Sequence, residues 1–203
     1  MGVYLVDVGA REWFGQERYE DGDPDDGRLG AVATALNAEL SRRGLPPFEP
    51  PAFGTGPAAG AGPAFEEKLV PPMDGFLALC RAHLPQARTW TLCGWSVLLP
   101  VSLDREIVLP VASAHDVETT VAGAPQVLAL ARRLAAAVGL PDGIPATGRN
   151  LELTAWFLDG PARRAAAAGP GPWSADLDST FYVALYLRAA EHALRYGRPI
   201  VSS

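Results

Sequence analysis

The period of the apolar positions changes several times along the chain, and each change marks an element. Residues 3–8 alternate and are rich in β-branched side chains, which predicts a half-buried strand ended by Gly9. Over 29–43 the period is helical. Val32, Leu36 and Leu40 recur every fourth residue beside Ala33, Arg42 and Arg43 suit the negative end of the helix dipole, and Gly44 stops the run. A second helix is predicted over 73–84, between Pro71-Pro72 and Pro85, with Phe76, Leu77, Cys80 and Leu84 on one side. Residues 65–69 fit a helical turn, and Glu66 and Glu67 in it fit a solvated one.

Residues 90–111 read as the main β unit. Apolar runs at 94–101 and 107–111 flank Ser102-Leu103-Asp104-Arg105-Glu106, and a turn near Asp104 would pair them as an antiparallel hairpin. Pro100 and Pro110 cannot donate to a ladder, so each is expected at an edge or facing away from its partner. Residues 118–122 fit a further short strand. A helix over 125–138 buries Val127, Leu128, Ala131, Leu134, Ala135 and Val138 and is capped by Gly139. Over 151–158, Thr154, Trp156 and Phe157 favour a strand, with a helix running toward Ala168 a close competitor. The last helix is predicted over 175–196, with Ser174 as its N-cap. It is apolar nearly all round, which puts it at the centre of the core, and His192 is read with Arg188 and Arg195 on its solvated side.

These elements do not alternate in a βαβ rhythm, and no repeat of fixed period occurs. The expected fold is α+β: a small mixed or antiparallel sheet centred on the 94–111 hairpin, packed by helices near 29–43, 73–84, 125–138 and 175–196, in a single domain of 203 residues. Two segments stand apart. Residues 16–28 hold Glu17, Glu20, Asp21, Asp23, Asp25 and Asp26 with little to bury, so a mobile acidic loop is expected. Residues 46–63, rich in Pro, Gly and Ala, read as a surface connection anchored by Phe48 and Phe53.

Composition narrows the class. Hydrophobic residues are 48% of the chain and charged ones 20%, which supplies a core and argues against disorder. With 17 basic and 23 acidic residues the net charge is −6, which argues against a nucleic-acid partner needing a basic surface. The N-terminus lacks a basic region before its apolar run, Val6 breaks the myristoylation pattern, and no apolar run approaches the ~18 residues that cross a bilayer. A soluble cytoplasmic protein without a membrane partner is expected.

Candidate chemistry is sparse. Cys80 and His83, three apart on a predicted helix, could meet Cys93 and His115, and two thiolates with two imidazoles would complete a zinc tetrahedron. The spacing matches no zinc-finger pattern, so no cofactor is favoured and both cysteines are read as small buried hydrophobes. Cys93 with His115 and Asp116 is the second arrangement, a thiolate nucleophile with a base and its orienting group. No dinucleotide, phosphate-loop, zinc-protease or nucleophile-elbow motif is present.

The favoured function is therefore a non-catalytic cytoplasmic protein that binds a macromolecular partner, as an accessory or neutralising, immunity-type protein. Trp13 and Phe14, read as exposed, would dock a protein partner, and Glu17, Glu20, Asp21 and Asp23 would steer a basic one. The alternatives are an enzyme with a zinc or cysteine-thiolate site near the hairpin, and a small-molecule binder with an aromatic pocket between the sheet and the last helix.

Overall fold

A computed structural model describes residues 2–15, 28–51, 63–146 and 150–203. In chain order the elements are β1 (Val3–Asp7), α1 (Ala10–Trp13), α2 (Arg28–Arg42), β2 (Glu66–Leu69), α3 (Asp74–His83), α4 (Gln86–Cys93), β3 (Val97–Leu99), β4 (Ile107–Leu109), β5 (Thr119–Gly123), α5 (Ala124–Val138), α6 (Glu152–Leu158), α7 (Pro161–Ala168), α8 (Leu177–Tyr196) and β6 (Ile200–Ser202). The fold is α+β, as expected, with a mixed sheet ordered β2-β1-β6-β3-β5-β4. Only β3 and β5 run parallel; the other neighbours are antiparallel.

The sheet separates two apolar layers. Leu5, Leu98, Ala122 and Ile200 face the layer that holds α3, α5, α6 and α8. Val97, Leu99, Ile107, Leu109, Val121 and Val201 face the opposite way, onto Val32, Leu36 and Leu40 of α2 together with Trp13 and Phe48. The long helix α8 is the axis of the larger layer, and Phe181 through Leu187 are all buried along it. Phe76 on α3 stacks with Tyr186, their ring centroids 5.5 Å apart. Aromatic and aliphatic side chains pack between the sheet and α8.

Three expectations about strands and their pairing are corrected, and residues 151–158, open between strand and helix, take the helical form. The 94–111 segment is not a hairpin: β5 lies between β3 and β4 and pairs with both. Every residue of β3 is buried, so it needs neighbours on both sides, whereas β4 exposes Val108 and suits an edge. Pro100 and Pro110 fall just past the ends of β3 and β4, where no ladder bond is asked of them. Residues 86–93, at the start of the supposed β unit, form α4. Residues 65–69 are strand rather than helical turn, pairing with β1 in the register Val3↔Leu69 to Val6↔Glu66. Residues 151–158 are helical, and a second helix, α7, follows after the turn at Gly160.

The helical outcome at 151–158 has a tertiary cause. Leu151 occupies the N-cap of α6 with φ +60 and has no side chain to bond the helix's first amides. Glu67 does this from β2: its carboxylate accepts from Leu153 N (2.7 Å), Thr154 N (2.8 Å) and Thr154 Oγ1 (2.6 Å). The outer edge of β2 is closed by the same junction, where Leu151 N donates to Glu66 O (2.7 Å) and Lys68 N to Thr154 Oγ1 (3.1 Å). Glu67 is fully buried rather than solvated, and that burial raises its pKa against the hydrogen bonds from Thr154 and Leu153. At the far end of α8, Asp176 is the N-cap, not Ser174, and accepts from Ser179 N at 3.0 Å.

Candidate functional site

Two polar constellations stand out, one closed and one open. The closed one gathers at the end of β1. Asp7 Oδ2 lies 3.0 Å from His192 Nε2 and accepts from Arg198 Nη1 at 3.0 Å, while Asp7 Oδ1 accepts from Phe65 N at 2.8 Å. All three side chains are buried. The imidazole is flanked by the rings of Phe65 and Tyr196, with centroids 5.3 and 4.5 Å away. Burial pushes the Asp7 carboxyl up, but the bonds from His192, Phe65 and Arg198 outweigh it and leave the pKa below its ordinary value. His192 is therefore not on a solvated side of α8, as its arginine neighbours suggested. This network ties β1, β2, α8 and the start of β6 together, and it offers no face to a substrate.

The open constellation is a groove of about 230 Å³ on the α5 side of the sheet. One wall is α4, with Ala87, Arg88 and Thr91; the other is the β3–β4 connection, with Asp104, Arg105 and Glu106. The floor is Ala122 and Gly123 at the end of β5, and Gln126 in the first turn of α5 closes one side. Gly123 is required here, because a Cβ would come 2.4 Å from Gln126 Oε1 and 2.6 Å from Val101 O. That close approach lets Gln126 Nε2 donate to Ser102 Oγ at 2.7 Å and fix the connection against α5. Among the described residues, no ion pair joins Arg88, Asp104, Arg105 or Glu106 to one another or to any other residue.

Trp90 stands beside this groove, one helical turn beyond Ala87. It is 65% exposed, the most exposed aromatic among the described residues. Its ring covers Gly94, where a Cβ would lie 2.5 Å from the indole.

Of the residues singled out from sequence, only Cys80 and Cys93 are seen within electrostatic reach of each other. Cys80 is fully buried in α3, Cys93 is half-buried at the end of α4 with its Sγ donating to Thr89 O (3.2 Å), and His83 is exposed at the end of α3. His115 and Asp116 are exposed in the loop after β4, where Asp116 N donates to Ser113 Oγ at 3.1 Å. Among the described residues no three His, Cys, Asp or Glu side chains converge as metal ligands, so the proposed zinc set does not assemble. Burial pushes the Cys80 thiol up to about 12 and the Cys93 thiol up to about 11, the reverse of an activated nucleophile. No hydrogen bond joins Cys93, His115 and Asp116.

The docking residues are corrected in part. Trp13 is fully buried, edge-on to Phe48 with centroids 5.9 Å apart, because α1 folds it under α2. Phe14 is exposed, at 38%. Glu17, Glu20, Asp21 and Asp23, the rest of the 16–28 loop to residue 27, and Phe53 lie outside the described residues. Sequence reasoning missed the Asp7–His192–Arg198 network, whose members are up to 191 residues apart, and passed over Trp90, which it placed at the start of the 90–111 β unit rather than on a helix. Among the described residues no helix is long and apolar enough to cross a membrane. Compared with protein-family models, with curated proteins and with solved structures, the chain matches none.

Proposed function

We propose that this is a non-catalytic cytoplasmic binding protein that acts on a protein partner, in the manner of an accessory or neutralising subunit, and that it docks through the outer face of α4 around Trp90. The observation that carries this reading is the 65% exposure of Trp90, an indole left in water on the outer face of α4. Tryptophan is among the side chains that most often dominate binding energy at protein interfaces. Contact with Gly94 holds the indole against its own helix, so less side-chain entropy is lost on docking. The net charge of −6 favours a basic partner through faster encounter. The two free thiols fit a reducing compartment.

Site-specific photo-crosslinking in cells of the source organism tests this. A photoreactive residue at position 90 is expected to give one discrete protein adduct. The same residue at Leu158 or Leu194, exposed positions on α6 and α8, is expected to give none. Adducts of equal pattern from all three positions, or none from any, contradict the reading.

A further inference from the structure

We propose that the groove between α4 and the β3–β4 connection binds a small zwitterion of the α-amino acid class. Four charged side chains, Arg88, Asp104, Arg105 and Glu106, line a space of about 230 Å³, and no ion pair joins them. In the groove both signs are left facing a common volume. A simple anion would meet the two carboxylates there, and a simple cation the two guanidiniums. A ligand carrying an ammonium and a carboxylate answers both sets at once.

Size points the same way. The volume is below the ~300–1,000 Å³ of sites for drug-sized ligands, so the occupant is a small metabolite. The groove lies past the carboxyl end of β5, beside the first turn of α5. Thr91 spends its hydroxyl hydrogen on Ala87 O (3.4 Å), which leaves its oxygen free to accept from an ammonium. This inference does not rest on the protein-partner reading, since it concerns the free chain.

Isothermal titration of the full-length protein with the free amino acids, their N-acetyl derivatives and their amides tests it. At least one free amino acid is expected to bind with Kd below about 1 mM. Its N-acetyl form, which lacks the ammonium, and its amide, which lacks the carboxylate, are each expected to bind at least tenfold more weakly. Arg88→Gln and Glu106→Gln, both at solvent-reached positions, are expected to weaken binding at least tenfold, while Arg133→Gln on the outer face of α5 leaves it unchanged. Absence of binding by every free amino acid at about 10 mM overturns the proposal. So does equal binding of the N-acetyl form or amide, or indifference to Arg88→Gln and Glu106→Gln.

Discussion

Asp7 and His192 are 185 residues apart in the chain and 3.0 Å apart in the fold, both almost wholly withdrawn from water. Arg198 meets the same carboxylate oxygen from the other side, so a strand near the N-terminus carries the anion that holds the end of α8 and the entry to β6. Removing that anion takes the shared carboxylate away from two buried side chains, His192 and Arg198, and from the Phe65 amide. Asp7→Ala is expected to lower unfolding free energy by about 3–5 kcal/mol, read from urea denaturation near neutral pH.

The same network has a defined acid dependence. The Asp7 carboxyl titrates below its ordinary value of 3.8 in the folded protein, so its contribution is complete above that value and drains away as the pH falls beneath it. The stability difference between the native chain and Asp7→Asn is expected to shrink as the pH falls below the unperturbed carboxyl range. A difference that grows on acidification contradicts the assignment.

Glu67 should show the opposite slope. Burial raises its pKa above 4.5, so the folded state holds the proton more tightly than the unfolded one, and stability attributable to this group falls as pH rises past 4.5. Protonated, its hydroxyl can donate to Thr154 Oγ1, whose own hydrogen can turn toward Lys68 O at 3.4 Å. Glu67→Gln loses an acceptor for the α6 amides and is expected to cost about 1–3 kcal/mol, with the deficit narrowing as the pH is raised above 4.5.

The thiols should be inert in the native state. With Cys93 pushed up to about 11, roughly one molecule in ten thousand carries its thiolate at neutral pH. Iodoacetamide followed by intact-mass measurement is expected to leave the native chain unmodified over the time in which the urea-unfolded chain takes up two adducts. Rapid single modification of Cys93 would restore the nucleophile reading.

Gly123→Ala is expected to destabilise by about 1–3 kcal/mol, because its methyl would press on Val101 O, which is backbone and cannot swing away. Circular dichroism melting of the variant measures this directly.

How far the sequence carried the reading depends on where each element's partner lies. Helices α2, α5 and α8 were legible because their apolar stripes and glycine stops are local. The place of β5 between β3 and β4 was not, since an apolar run has the same pattern whichever neighbour it pairs with. Helix α6 stayed open between strand and helix because its cap, Glu67, comes from a distant strand. Trp13 misled because one aromatic in a polar stretch reads as exposed until Phe48 is placed against it. The groove's charges are four ordinary surface residues in sequence, and only the meeting of α4 with the β3–β4 connection gives them a common space.

The most direct test of the proposed function is the affinity of the cross-linked partner, once isolated, for the native protein and for Trp90→Ala. An exposed site predicts a change in folding stability within about 0.5 kcal/mol, together with at least 2 kcal/mol of lost binding, a fall in affinity of roughly thirtyfold. Equal affinity of the two proteins would contradict docking through α4.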